Sequence, residues 1–126
     1  MTGKNGLTEL EPLRLILHEK KGSTEEFPFG PEAMVFKVMG KMFALVGHAQ
    51  IPLRVSLKCD PDLAIALRMA YEAVTPAYHM NKQHWNTVIL DGTLPDEEII
   101  SMIDDSYDLV VKRLKKADKE ELKEMK

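Results

Sequence analysis

The amino-acid sequence predicts an α+β fold, in which an antiparallel β-sheet packs against helices. The first observation is the order of segments: a helical pattern, three β-prone runs, a helix, one more strand and a final helix. This order lacks the strict alternation that builds a parallel sheet. The second is a clean two-residue period over residues 53–59. The third is size, since 126 residues predict one domain, 1–126, around one hydrophobic core.

The N-terminal segment predicts a helix over about residues 8–20, because leucines recur there at helical spacing. The leucines are Leu7, Leu10, Leu13 and Leu17. Pro12 is tolerated only in the first turn, and Gly22 predicts the end of the helix. Residues 24–31 contain two prolines and a glycine, so they predict a stiff connector.

The middle of the chain predicts a β-hairpin and a third strand. Runs 33–38 and 41–46 meet at Met39 and Gly40, where the glycine supplies the positive φ of a tight turn. Over 53–59 apolar and polar residues alternate, so one face is predicted to be buried and the other wet and cationic. The buried set is Leu53, Val55, Leu57 and Cys59, and the wet set is Arg54, Ser56 and Lys58.

The C-terminal half predicts two helices with a loop and a strand between them. Asp60 and Pro61 predict the start of a helix over about 61–73. Its expected packing residues are Leu63, Leu67, Ala70 and Val74. Residues 87–90 predict a strand, and Pro95 followed by three acids opens a helix to about 115. Residues 116–126 are nearly all charged and predict a frayed tail, which leaves about 7–115 structured.

Composition favours a cytoplasmic protein. No apolar run is long enough for a signal peptide or a membrane span. The lone Cys59 excludes an internal disulfide and indicates a reducing compartment. We expect no cofactor and no membrane partner, and the oligomeric state stays open.

Charge is distributed unevenly along the chain. Seventeen Lys and Arg against twenty Asp and Glu give a net charge of −3, which argues against DNA when the chain is taken whole. However, no acid occurs between Glu32 and Asp60 or between Glu72 and Asp91. These two spans carry Lys37, Lys41, Arg54, Lys58 and Lys82. Two interpretations stay open: the spans attract phosphate, or strands simply avoid acids and use lysine against aggregation.

The loop over residues 78–86 combines residue types that suit nucleic acid. Its candidate binding residues are His79, Asn81, Lys82, His84 and Trp85. Amides bond base edges, Lys and protonated His meet phosphates, and tryptophan stacks on bases. Trp85 is equally compatible with a place in the core.

The same loop offers residue types for metal binding and, with Cys59, for thiol catalysis. His79 and His84 with Cys59 offer ligand types for a metal, yet they lack the short paired spacings of zinc motifs. A thiol nucleophile would need a third orienting group and an oxyanion site that the sequence does not indicate. We therefore assign no catalytic residue and no metal ligand, and we do not predict an enzyme.

Several motifs carry a resemblance to a known family. They are FPFGP at 27–31, VFKV at 35–38, GKMFA at 40–44, LKCDP at 57–61, YHMNK at 78–82, HWNT at 84–87, LP at 94–95 and DDSYDLV at 104–110. Over about residues 10–115 the chain resembles the MmcQ/YjbR-like family, and the loop motifs are the specific part.

The resemblance implies a fold similar to frataxin-like and secretion-chaperone-like α+β sandwiches. It also implies DNA binding, because such proteins are described as DNA-binding through a double-wing arrangement, an attribution that rests on fold. The expected function is therefore a weak DNA-binding module that uses a cationic sheet face and the 78–86 loop. The alternative is a protein-interaction adaptor or chaperone-like domain, suggested also by Met34, Met39, Met42 and Met80.

Overall fold

The computed structural model describes residues 6–78 and 80–125, which form a six-stranded antiparallel sheet with helices. The strands are β1 (Ser23–Glu26), β2 (Ala33–Val38), β3 (Lys41–Gly47), β4 (Arg54–Lys58), β5 (Val74–Pro76) and β6 (Trp85–Ile89). The helices are α1 (Leu10–Glu19), α2 (Pro61–Ala70), α3 (Asp96–Lys112) and α4 (Lys116–Glu124), after a 3-10 turn at Gly6–Thr8. The sheet order is β1-β2-β3-β4-β6-β5 with every pairing antiparallel. The predicted α+β class is confirmed.

The hairpin and the central strand follow their local sequence. Met39 and Gly40 have φ of 49° and 80°, so both central residues of the turn between β2 and β3 have the positive φ of a type I′ turn. Val55 and Leu57 are buried as predicted. The prediction of a wet opposite face was wrong at Ser56, which is also buried. Strand β4 lies between β3 and β6, and the short Ser56 side chain is hydrogen-bonded to Thr87 on β6.

Two short strands were missed because they lie at the edges of the sheet. β1 occupies part of the segment that we predicted as a connector, and β5 begins at Val74, which we predicted to pack with helix 61–73. An edge strand pairs on one side only, so it needs little apolar patterning. Glu25 of β1 faces α1, where it accepts hydrogen bonds at 2.7 Å from both Arg14 Nε and Arg14 Nη2. The ion pair between Glu25 and Arg14, rather than apolar packing, therefore holds β1 against α1.

Helix α2 departs from its predicted packing. It ends at Ala70 rather than near residue 73, and Ala64 is its buried residue, with Leu67 partly buried. Leu63 and Ala70, both predicted to pack, are exposed. The helix contacts the sheet beside the short edge strand β5, so only one line of its side chains is covered.

The predicted frayed tail is instead helix α4. Leu122 is only 5 % exposed and packs against Gly22, where an added Cβ would lie 2.7 Å from Leu122 Cδ1. Lys21 Nζ also donates a hydrogen bond to the carbonyl of Lys123 at 2.9 Å. A single buried leucine among the seven charged residues of α4 was too weak a signal to predict docking.

Candidate nucleic-acid interface

Helices contact one face of the sheet. His18 of α1 contacts Phe36, and Tyr107 of α3 contacts Phe43, with ring centroids 5.2 and 5.4 Å apart. Arg68 of α2 bonds Asn86 on the same face. We call the opposite side the outer face. Alternation and register place these side chains on it: Lys37, Arg54, Ser56, Lys58, Trp85 and Thr87.

Hydroxyl groups occupy the middle of the outer face. Ser56 Oγ and Thr87 Oγ1 are 2.8 Å apart across β4 and β6. Thr75 Oγ1 donates to the carbonyl of Thr87 at 3.1 Å. These hydroxyl groups bond one another or the backbone, and the charged residues Arg54 and Lys58 lie at the two ends of β4.

A groove of about 360 Å³ lies at one end of the sheet. Because neighbouring strands are antiparallel, the start of β3, the end of β4 and the start of β6 meet there. The last turn of α3 closes it. We call it the sheet-end groove, and it is lined by Lys41, Met42, Lys58, Trp85, Val110 and Arg113.

The lining of the sheet-end groove contains three cations and no acid. Among the described residues none of Lys41, Lys58 and Arg113 forms an ion pair within 4.0 Å. Burial lowers the pKa of Lys58, and the nearby charge of Arg113 lowers it further. The groove thus holds like charges whose repulsion a bound anion would relieve.

A buried hydroxyl fixes the strands that carry these cations. The register between β2 and β3 shifts at Phe36 and Lys37, which leaves Phe43 outside the regular pairing. Ser106 of α3 is fully buried beside it. Its Oγ donates to the carbonyl of Phe43 at 2.6 Å and accepts from the amide of Lys58 at 2.8 Å. Ser106 therefore bridges β3 and β4 at the backbone of Lys58, which lines the groove.

The other predicted cations lie elsewhere. Lys37 forms an ion pair with Glu26, with Nζ 3.1 Å from Oε1. Arg54 is at the far end of β4 from Lys58, and its buried Nε has no hydrogen-bond partner among the described residues. Lys82 Nζ lies 5.7 Å from the ring centroid of Tyr78. The prediction brought five cations together, whereas the structure brings Lys41 and Lys58 to Trp85 and leaves the other three outside the groove.

The 78–86 loop is organised by its own hydrogen bonds. Asn81 Oδ1 accepts from the amide of Gln83 at 2.9 Å, so this side-chain oxygen stabilises a local turn. The His84 carbonyl accepts from the amide of Cys59 at 2.8 Å. Arg68 donates to the Lys82 carbonyl and, at 2.7 Å, to Asn86 Oδ1. The loop is therefore clamped to α2, while His79 lies outside the described residues.

Trp85 is partly exposed at the rim of the groove. Its backbone carbonyl accepts from the amide of Ala77 at 3.2 Å, which fixes the start of β6. Within 6–78 and 80–125 its indole has neither a hydrogen-bond partner nor an aromatic neighbour. The ring is thus an available apolar surface beside Lys58, its cross-strand neighbour.

The thiol and metal alternatives gain no support from the described residues. Burial raises the pKa of Cys59 to about 11, and the charges of Asp105 and Asp60 add to the shift. The thiol is therefore protonated near neutral pH. In the part of the chain that the structure describes, no three His, Cys, Asp or Glu side chains are grouped to hold a metal. Nor does any helix there combine the length and apolarity needed for a bilayer crossing.

Comparison with known proteins identifies the family. The family model described as YjbR matches residues 18–109. The chain belongs to the YjbR family. A relative named Uncharacterized protein YjbR, from Escherichia coli K12, is 40 % identical over 95 residues, which cover 75 % of this chain and 80 % of the relative. The Bacillus subtilis relative YyaQ is 36 % identical over 76 residues, covering 60 % of this chain and 63 % of its own.

Two solved structures share the fold. The Deinococcus radiodurans protein DR2400 aligns with a TM-score of 0.87 at 42 % identity, covering 94 % of this chain and 91 % of its own. A Pseudomonas syringae protein aligns with a TM-score of 0.66 at 31 % identity, covering 79 % of this chain and 98 % of its own. The family predicted from the loop and hairpin motifs is confirmed.

Sequence reasoning missed Arg113 and Ser106 of this YjbR-family chain. Arg113 lies in a run of basic residues at the end of the predicted helix, where we expected no site residue. Ser106 is one of several polar residues in α3, and only the 3.6-residue period would have placed it on the buried stripe with Ile103 and Val110.

Proposed function

We propose that this YjbR-family chain binds DNA weakly through the sheet-end groove. The observation that carries the proposal is the convergence of Lys41, Lys58 and Arg113 on Trp85, with no acid in the lining. These cations have no ion-pair partner among the described residues and lie beside an aromatic ring. They match the two needs of nucleic-acid binding, charge for phosphate and a π-face for bases. The expected footprint is small, because three phosphate contacts on a duplex give a salt slope of only about −2.7.

The proposal is tested with the fluorescence of Trp85, the only tryptophan in the chain. Titration with a short DNA oligonucleotide at low salt should change the emission of Trp85. Added salt should weaken binding with a salt slope of about −2.7. Lys58→Ala and Arg113→Ala should each weaken binding and flatten the slope by about one unit.

Lys37→Ala is the matched control, because it removes the same charge from a lysine that Glu26 already pairs. We expect it to change the salt slope much less than Lys58→Ala. Arg54→Ala and Lys82→Ala should also have smaller effects, since both side chains lie outside the groove. Unchanged emission at low salt, or equal losses in the Lys37 and Lys58 variants, would refute the assignment of DNA binding to this groove.

A second candidate function is protein binding through α2. Eight of its ten residues are apolar, yet Ile65 and Met69 are 53 % and 83 % exposed. Helices of soluble proteins normally bury such residues against the core, so an exposed apolar side favours a contact with another protein. Of the methionines that first suggested this function, Met34 is in the core. Self-association that increases with concentration in sedimentation velocity and is lost in a Met69→Asp variant would support this candidate, and a strictly monomeric protein would count against it.

A further inference from the structure

The sheet-end groove has the shape and chemistry of a site for an unstacked base. Its volume of about 360 Å³ lies near the lower end of the range for small-ligand sites, and matches on the order of one nucleotide. A continuous duplex presents phosphates to such a groove but keeps its bases stacked inside the helix. A flexible single strand can turn one base into it.

The lining divides into an apolar part and a cationic part. Met42, Val110 and the ring of Trp85 supply apolar surface, and Lys41, Lys58 and Arg113 supply charge. Lys58 and Trp85 are direct cross-strand partners on β4 and β6, so a cation and a ring lie side by side. A nucleotide offers the complementary pair, which is a base with a π-face and a phosphate attached through one sugar.

The Trp85 indole is free to take the base. Within the described residues it has no stacking partner and no hydrogen-bond acceptor, although it is only partly exposed. Phe43, by contrast, is fully buried, and Tyr107 contacts its ring edge-on. Sites for single-stranded nucleic acid combine such a ring with a positively charged path for the backbone.

We propose that the DNA form bound by this groove is single-stranded, with one base stacked on Trp85 and the adjoining phosphates on Lys41, Lys58 and Arg113. This inference rests on the proposed function and specifies its ligand. It sets the salt slope at about −2, because each phosphate contact contributes less on a single strand than on a duplex. It also makes affinity depend on the base.

The test compares three oligonucleotides of equal length with the full chain. These are oligodeoxythymidylate, an abasic strand that keeps only sugar and phosphate, and a duplex. Binding is followed by Trp85 emission and by anisotropy of labelled strands. We expect the thymidylate strand to bind roughly tenfold or more tighter than either of the other two.

Two variants separate stacking from charge. Trp85→Leu should lose the preference for thymidylate over the abasic strand while keeping its affinity for the abasic strand. Trp85→Phe keeps an aromatic face and should retain most of the preference. Circular dichroism of both variants shows whether β6 is still formed, and if the leucine variant does not fold, the phenylalanine variant and the abasic strand still decide the question.

Each outcome distinguishes the single-strand inference from the proposed DNA binding on which it rests. Equal binding of thymidylate and abasic strands would overturn base stacking and leave a phosphate site. Tighter binding of the duplex would overturn the single-strand inference and leave DNA binding intact. Failure of all three ligands to bind at low salt would overturn both.

Discussion

Replacing Ser106 by alanine tests how the groove is built. The substitution removes the hydroxyl that bridges Phe43 and Lys58, and leaves a buried carbonyl and a partly buried amide without this partner. Each hydrogen bond contributes about 0.5–1.5 kcal/mol net, and an unsatisfied buried group costs about 1–3 kcal/mol. Because Ser106 is fully buried, water does not readily replace the hydroxyl. We therefore expect the free energy of unfolding to fall by about 2–3 kcal/mol.

The assay is equilibrium unfolding in urea, with Ser101→Ala as the matched control. Ser101 lies on the same helix and is exposed, so its variant reports the gain in helix propensity without loss of the bridge. The difference between the two variants isolates the bridge, provided that the slope of each transition is unchanged. In a thermal scan the Ser106 variant should lose roughly 6–12 °C.

The reasoning would be refuted if the two serine variants had the same stability to within about 0.5 kcal/mol. A second readout concerns the groove. Because the bridge fixes the end of β4, Ser106→Ala should also weaken DNA binding by Lys58, while Ser101→Ala should leave it unchanged. A destabilised variant with unaltered binding would show that the bridge supports the fold but does not position the cation.

Three further predictions concern other parts of the molecule. Gly22→Ala should destabilise the fold by about 1–2 kcal/mol in urea, because φ is +74° and the new Cβ meets Leu122 at 2.7 Å, whereas Gly40→Ala should show only the backbone cost. Alkylation of Cys59, monitored by mass spectrometry, should be slow at neutral pH and accelerate towards pH 11. Fast alkylation at pH 7 would contradict the burial of the Cys59 thiol. The bond from Arg14 lowers the pKa of Glu25, so the stability it gives is present above about pH 4.5 and is lost as the pH falls through the lowered value. Glu25→Gln should remove this part of the acid dependence, and an unchanged acid limb in pH-dependent unfolding would disprove the assignment.

The parts of the fold that could be predicted are those encoded locally. The hairpin at Met39 and Gly40 and the buried positions of β4 depend on a turn residue and on alternation, and both were confirmed. Strand β1 could not be predicted, because Ser23–Glu26 contains no apolar residue and exists through its pairing with β2 and the Arg14 ion pair. Helix α4 likewise depends on one contact, Leu122 against Gly22, which joins distant parts of the chain.

The candidate site was only partly predictable for the same reason. Lys58 and Trp85 were chosen for their residue types, and their proximity follows from a strand register that no local pattern specifies. Asn81 was chosen to read bases, yet its side-chain oxygen is bonded within the loop, a local alternative that asparagine commonly adopts. Arg113 could be found only after α3 was packed across the end of the sheet.

The net charge of −3 is compatible with a positive groove because of the length and orientation of α3. Three acids occupy its first turn, where the helix dipole favours them, and Lys112 and Arg113 lie at its end. Seventeen residues span about 25 Å, which is more than two screening lengths of roughly 8–10 Å at moderate salt. Asp105 and Asp108, which are nearer, line a separate groove with Leu63 and Lys112, and Asp105 also lines a small cavity beside Lys58. The charge pattern that stabilises α3 thus places Arg113 at the groove and three of the six acids of that helix more than two screening lengths away. The total charge of the chain therefore does not predict which ligand this end of the sheet attracts.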